Sequence, residues 1–215
     1  MIEKQEVIKM DMYNEHCLPH LTNCVCGMKP LARQRALIVP QAQGNVLEVG
    51  MGTALNLPFY DKDKVTRVWG LEPSPGMRRV AAENVKRSGI QVEWLDLPAA
   101  RIPLGDATVD TVLLTFTLCS IADWRGALAE MRRVLKVQGR LLFCEHGAAP
   151  DASILKWQKR ITPWWKHAAG GCHLDRPIPT LLVTGGFRIL EMDEDYMGGV
   201  PRIAGYTYRG SAAKR

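Results

Sequence analysis

Between residues 45 and 146 the chain alternates short apolar segments with segments of helical period, and this alternation constrains the fold more than any other feature. Asn45–Gly50 reads as a short buried strand stopped by glycine, and Arg67–Glu72 as a second. Ser74 and Pro75 then supply an N-cap and a first helical position, Met77, Val80, Ala81 and Val85 share one face, and Gly89 ends the helix. Ile90–Leu95 makes a third strand. Thr111–Leu118 makes a fourth, almost wholly apolar or β-branched and so buried on both faces. Asp123 caps the next helix, whose apolar face is Trp124, Ala127, Leu128, Met131 and Leu135. Gly139 is expected to close it before a fifth strand, Arg140–Glu145. Strands separated by helices in this order predict an α/β fold, a parallel sheet wound on both sides.

The last third has a different character. Phe187–Met192 and Ile203–Tyr208 read as strands joined through Gly198, Gly199 and Pro201 with no helix between, which predicts an antiparallel hairpin at one sheet edge. Residues 1–40 and 146–180 fit neither pattern, are rich in Cys, His and Trp, and read as caps over a site. The expected organisation is one domain over 1–215, with an N-terminal cap at 1–40, a cofactor-binding core at 41–146, a lid at 147–182 and the hairpin at 183–215.

Composition narrows the classes of function. The apolar run between Asp110 and Asp123 is too short and too hydroxylated to span a membrane, and Glu3, Lys4 and Glu6 do not open a secretory signal. Six cysteines in 215 residues are not a secreted disulfide framework, so the expected compartment is the cytoplasm. The net charge of +6 is a modest basic excess that fits an anionic substrate, a membrane surface or weak nucleic-acid contact and selects none of them. The scattering of the basic residues and the lack of an added recognition domain argue against nucleic acid as a partner.

In an open parallel sheet, ligands bind beyond the carboxyl ends of the strands. Those ends carry Gly50-Met51-Gly52-Thr53, Glu72-Pro73, Asp96-Leu97-Pro98, Thr115-Phe116-Thr117 and Glu145-His146. Two close glycines let backbone approach a ligand, and Glu72, 20 residues after Gly52, can accept both hydroxyls of a ribose. A dinucleotide fingerprint needs a third glycine where Leu55 stands, followed here by Asn56, and a pyrophosphate would be repelled by Glu48. S-adenosylmethionine (SAM) has an ammonium and a sulfonium and no phosphate, so the acidic loop suits it better. An NAD-dependent oxidoreductase and a non-catalytic SAM-binding protein stay open as alternatives.

The stretches Val46-Leu-Glu-Val-Gly-Met-Gly-Thr, Gly70-Leu-Glu-Pro-Ser-Pro-Gly-Met and Glu130-Met-Arg-Arg-Val-Leu-Lys resemble three motifs of the class I SAM-dependent methyltransferases, in order and spacing. Leu118-Cys-Ser-Ile, Glu145-His-Gly, Trp157-Gln and Gly170-Gly-Cys-His-Leu-Asp-Arg extend the resemblance to a subgroup of small bacterial methyltransferases and the animal thiol methyltransferases, and more distantly to quinone and phosphatidylethanolamine methyltransferases. The resemblance implies a Rossmann-like sheet of seven strands, SAM as cofactor, and an acceptor that is small or lipid-like, with a thiol favoured over a phospholipid amine or a quinone hydroxyl. It places Glu48, Gly50, Gly52, Asn56, Glu72, Pro73, Met77, Asp96, Leu97 and Thr115 around the cofactor. Two departures stand out. Ala54 replaces a third glycine, which asks for a negative φ or a shifted turn, and Val137-Gln138-Gly139 replaces a Pro-Gly-Gly turn.

His146, at the end of the fifth strand, is the candidate base for deprotonating an acceptor. His173, in a glycine-hinged stretch that can close over substrate, is a second candidate catalytic residue in contact with the reaction. Cys119 reads as a small buried residue. His16, Cys17, His20, Cys24 and Cys26 form no expected metal site, because Cys24-Val25-Cys26 lacks the two-residue gap of a zinc knuckle and a cap helix is expected to end near Pro19. Arg33 and Arg35 are candidates for an anionic part of the substrate. Trp157, Trp164 and Trp165 alternate with Lys156, Lys159, Arg160 and Lys166, which fits a peripheral membrane contact, an apolar acceptor pocket or a buried lid face, although Pro163 should interrupt the helix.

Overall fold

A computed structural model describes residues 12–215. The reading of Glu3, Lys4 and Glu6 therefore lies outside the described residues. Seven strands, β1 (Gly44–Val49), β2 (Val65–Leu71), β3 (Val92–Leu95), β4 (Val109–Thr115), β5 (Leu135–His146), β6 (Phe187–Tyr196) and β7 (Tyr206–Lys214), form one sheet in the order β3-β2-β1-β4-β5-β7-β6. The first five are parallel, and β7 inserts antiparallel between β5 and β6. This is the doubly wound architecture with an antiparallel C-terminal pair.

Alternate residues of the central strands feed two cores. Leu47 and Val49 of β1, Val112 and Leu114 of β4 and Phe143 of β5 point to one face, where helices α4 (Trp124–Val134) and α6 (Ile178–Thr184) pack. Val46, Leu113, Leu142 and Cys144 point to the other, towards α2 (Lys29–Ile38) and α3 (Pro75–Ser88). Every strand of the centre is therefore apolar on both sides, as parallel sheets require.

The expected caps form as read. Ser74 Oγ accepts the Met77 N–H at 3.2 Å, Gly89 ends α3 with φ +67°, and Asp123 accepts the Gly126 N–H at 2.9 Å. Other boundaries differ. β4 stops at Thr115 rather than Leu118, because Phe116 takes φ +54° and turns the chain over the sheet edge. The helix α4 ends at Val134, not at Gly139, because the buried Leu135 already pairs with Val109 of β4. The register then slips between Val109 and Thr111, so Lys136–Gly139 bulge within the strand, and Lys136 Nζ pairs with Asp110 at 2.7 Å. The last strand covers 206–214 rather than 203–208, behind a single helical turn, α7 (Arg202–Gly205).

The caps are helical. A π-type turn, Tyr13–Cys17, runs directly into α1 (Leu18–Cys26), so the helix does not end near Pro19. Pro19 sits in the first turn of α1, where its fixed φ is compatible with the helix. Helix α5 (Ala152–Ala168) passes through Pro163 uninterrupted, contrary to the expected break. Gln158, 1% exposed, ties α5 down. Its Oε1 accepts the Ala149 N–H, and its Nε2 donates to the carbonyls of Gly147 and Ile203.

Candidate cofactor and acceptor site

The chain leaving β1 makes three left-handed residues in alternation, Gly50 (φ +65°), Gly52 (φ +56°) and Ala54 (φ +61°). The turn is thus not shifted at Ala54. The alanine accepts the left-handed conformation that glycine would take freely, at a cost of about 1–2 kcal/mol. Gly50 is required twice over, since a Cβ there would stand 2.1 Å from Thr117 Cγ2. The N–H of Gly50 and that of Met51 both donate to the Leu71 carbonyl, which pins the turn to the end of β2.

Glu72 locks the same turn. Its Oε2 accepts the Gly52 N–H and its Oε1 the Ser74 N–H, both at 2.9 Å. Burial pushes the carboxyl pKa up while these two N–H donors pull it back. Each oxygen keeps a lone pair for a further donor.

Glu48 is not in the wall. It is 1% exposed, and it accepts Asn56 Nδ2 at 2.9 Å and the Tyr60 hydroxyl at 2.7 Å. Burial raises its pKa to about 7 against those hydrogen bonds. Asn56 Nδ2 also donates to Thr115 Oγ1 at 2.8 Å. Both amide protons are therefore used behind the wall, which leaves Asn56 Oδ1 as the free end. Glu48 acts on the cavity through Asn56, a relay that its position before the glycine turn does not reveal.

The cavity over the turn is lined by residues that include Cys26, Arg35, Gly50, Gly52, Thr53 and Asn56. Arg35 is 4% exposed, donates to the Cys26 carbonyl at 2.6 Å, and lies 5.3 Å from the Phe116 ring centroid. Desolvation lowers its pKa, yet it stays a cation at any ordinary pH. Three buried polar atoms of this lining have no partner among the described residues: Arg35 Nε, Thr53 Oγ1 and Asn56 Oδ1. Leaving each unpaired costs about 1–3 kcal/mol. A donor for a carboxylate and an acceptor for an ammonium in one cavity match the amino-acid end of SAM. The donor set fits the cofactor. The void itself is about 60 Å³, against roughly 300–1,000 Å³ for small-molecule sites.

The other expected residues take varied places. Thr115 lines the cavity. Pro73 is exposed after Glu72, Met77 is half-buried in the first turn of α3, and Asp96 is exposed beyond β3, with Leu97 packed on the core beside it. None of these four lines the cavity. Arg33 is exposed, away from Arg35. The sequence reading named neither Thr53, the last residue of the first motif, nor Tyr60, which stands in no motif, as a site residue.

On the acceptor side, Glu145 is wholly buried and accepts the Thr117 N–H at 2.8 Å and the Cys119 N–H at 3.4 Å. It shapes the chain after β4. His146 Nε2 lies 3.1 Å from Cys172 Sγ, and its Nδ1 is buried without a partner among the described residues. His173 is half-buried, and burial together with Arg176 lowers its pKa, so it is neutral at pH 7. Trp157, Trp164 and Trp165 are 53%, 80% and 40% exposed, which removes the buried-lid reading. Among the described residues, no helix is long and apolar enough to cross a membrane, and all six cysteines are free.

Comparison with known proteins agrees with this geometry. Residues 47–143 match the family model described as a methyltransferase domain. The chain is 35% identical over 158 residues to human thiol S-methyltransferase TMT1B, covering 71% of this chain and 64% of that protein. It is 27% identical over 170 residues to phosphatidylethanolamine N-methyltransferase of Cereibacter sphaeroides, covering 78% and 82%. The alignments span 54–64% of the length of the thiol S-methyltransferases matched. A SAM-dependent methyltransferase from Aquifex aeolicus superposes with TM-score 0.61 at 21% identity, over 90% of this chain and 93% of that one, which shows the shared fold. The methyltransferase match, with Leu55 and Glu48 at the turn, sets the dinucleotide reading aside, and residues 47–143 form a SAM-dependent methyltransferase domain, whose cofactor is SAM.

Proposed function

We propose that this chain transfers the methyl group of SAM to a thiol on a small or lipophilic molecule. The observation that carries the reading is the likeness to the thiol S-methyltransferases, which extends beyond the common methyltransferase domain. When bound, SAM supplies a methyl group on a sulfonium that departs as a neutral thioether, so no general acid is needed. The protein's tasks are to hold the two partners in line at roughly 3–3.5 Å and to take a proton from the acceptor. Arg35 and Asn56 fix the amino-acid end, and Glu72, behind the turn, receives the ribose. Pro73, Met77, Asp96 and Leu97, beyond the ends of β2 and β3, would face the nucleoside.

An ordinary thiol has a pKa of about 8.5 and is a minor thiolate at pH 7. His173, held neutral, takes its proton. His146 is engaged with Cys172 and positions the acceptor wall. The test is SAM turnover against thiols, phenols and amines with the product identified by mass. Methylation of thiols alone supports the reading, and methylation of amines or phenols in preference overturns it.

A second reading, a phospholipid amine acceptor reached at a membrane surface, is favoured by the exposed Trp157, Trp164 and Trp165 among Lys156, Lys159, Arg160 and Lys166. The phosphatidylethanolamine-methylating relative gives it the same direction. Vesicles containing phosphatidylethanolamine belong in the acceptor panel for that reason.

A further inference from the structure

Three segments far apart in sequence deliver soft donor atoms to one point. Cys119 lies just beyond β4, His146 ends β5, and Cys172 lies in the glycine-hinged stretch after α5. The two sulfurs and a ring nitrogen of His146 all lie within 4.8 Å of one another, and the three donor residues are buried there. The His173 N–H donates to the Cys119 carbonyl at 3.0 Å, which laces the hinge to the end of β4.

We propose that Cys119, His146 and Cys172 form a three-ligand site for a zinc ion, with its fourth position open to water or to an exogenous thiol. Two thiolates and one imidazole are a donor set for zinc rather than for calcium or magnesium, which take oxygen. Zinc–sulfur bonds of about 2.3 Å and zinc–nitrogen bonds of about 2.0–2.1 Å put tetrahedral ligands roughly 3.3–3.8 Å apart. His146 Nε2 and Cys172 Sγ stand at 3.1 Å and would open by about 0.4 Å, while the other pairs, all within 4.8 Å, would close by about 1 Å at most. Three protein ligands with one open position are the arrangement of reactive zinc sites, whereas structural ones are closed by four.

The surroundings serve the same end. The Trp165 indole N–H points to Cys172 Sγ at 3.3 Å, a donor that stabilises a thiolate. Glu145 holds the Cys119 N–H, and the Arg176 guanidinium donates to the carbonyls of Leu118 and Ile121, so the segment bearing Cys119 is fixed on both sides. Binding exchanges two thiol protons for one divalent cation, and the complex of two thiolates with zinc is neutral. Small buried cysteines would fill this space as apolar groups, but that role does not account for an imidazole beside them with a buried Nδ1 that has no partner among the described residues. The inference does not depend on which acceptor is methylated.

The experiment uses the full chain, stripped with chelator under reducing conditions, reloaded with zinc sulfate and passed through gel filtration. Elemental analysis should find one zinc per chain, with about two protons released on loading at neutral pH. Retention should fall at least tenfold in Cys119→Ser/Cys172→Ser and persist in Cys17→Ser/Cys24→Ser, which controls for the exposed N-terminal thiols. Cobalt in place of zinc should give the wild type thiolate-to-metal charge transfer in the near-ultraviolet. That spectrum keeps the test valid even where the double variant does not fold. A wild type that retains no zinc, a cobalt complex without thiolate bands, or zinc retained undiminished by a folded Cys119→Ser/Cys172→Ser variant overturns the proposal.

Discussion

The carboxyl edge of the sheet is built in two ways. At β1 and β2 the acidic side chains are held from within a short reach of chain: Glu48 by Asn56 and Tyr60, Glu72 by Ser74 and Gly52. At β4 and β5 the partners come from segments that follow other strands. Glu145 holds Thr117 and Cys119, His146 meets Cys172, and Arg176 returns to Leu118 and Ile121. The first half is a turn that folds most of its ligand groups into place, with Arg35 reaching it from α2. The second exists only after the caps have docked. A cofactor common to a whole family can be served by the first kind of construction, while a particular acceptor needs the second.

The sharpest way to break the cofactor half is Gly50→Ala. The substitution adds a left-handed penalty of about 1–2 kcal/mol and an overpacking penalty of about 1–3 kcal/mol against Thr117. The expected loss is roughly 2–5 kcal/mol in urea unfolding, with SAM binding lost alongside. Ala54, already left-handed, offers the contrast: Ala54→Gly should gain stability or leave it unchanged, because it relieves strain where Gly50→Ala creates it.

Next in size is the pH dependence of Glu48. Its folded pKa of about 7 stands above its ordinary value of 4.5. The folded state therefore keeps the proton longer, and stability falls as pH rises from about 4.5 to 7, then levels off. The full difference corresponds to about 3 kcal/mol. Glu48→Gln should remove it, so wild type and variant should diverge in urea midpoint between pH 5 and pH 8, with the variant gaining at pH 8. Parallel pH profiles would mean that Glu48 stays ionised throughout.

Glu72→Ala should then weaken SAM binding by about 1.5–3 kcal/mol, the scale of hydrogen bonds to a charged group, as read by calorimetry. Part of that loss comes through the turn, since Gly52 N–H is left without its acceptor. Glu72→Gln separates the two effects, because its amide oxygen can still accept from Gly52 while one ribose acceptor becomes a donor. Unchanged affinity in both variants would remove Glu72 from the cofactor's contacts.

These differences in construction explain what the sequence made legible. The strand–helix alternation, the caps at Ser74 and Asp123 and the turn at Gly50 are local, and each carries its own residue signal. The helix α4 was read too long because Leu135 continues the helical period, yet its pairing with Val109 of β4 draws it into the sheet. The last strand was misplaced because Gly210, Ser211, Ala212 and Ala213 have little intrinsic strand preference. Close packing selects them, for a Cβ at Gly210 would lie 1.9 Å from the Glu191 carbonyl oxygen. Arg35 was named as a candidate without its neighbours, since only tertiary packing puts it against Phe116. The meeting of Cys119, His146 and Cys172 had a trace in sequence, one residue in each of three subgroup motifs, but no spacing rule joins residues 119, 146 and 172.

The smallest expected effect tests how far the acceptor half extends. Trp164, 80% exposed on α5, packs against little, so Trp164→Ala should change folding stability by no more than about 0.5 kcal/mol. Its effect on function separates the two acceptor classes. With a small water-soluble thiol the variant should match wild type in kcat/KM, because the indole is not needed by a molecule that reaches the site from solution. With an acceptor embedded in anionic vesicles, removal of an interfacial indole beside Lys159, Arg160 and Lys166 should lower vesicle co-sedimentation and turnover together, and added salt should deepen the loss by screening the lysines and arginine. Equal behaviour of variant and wild type on vesicles at all salt concentrations would leave α5 as a lid over the acceptor half and nothing more.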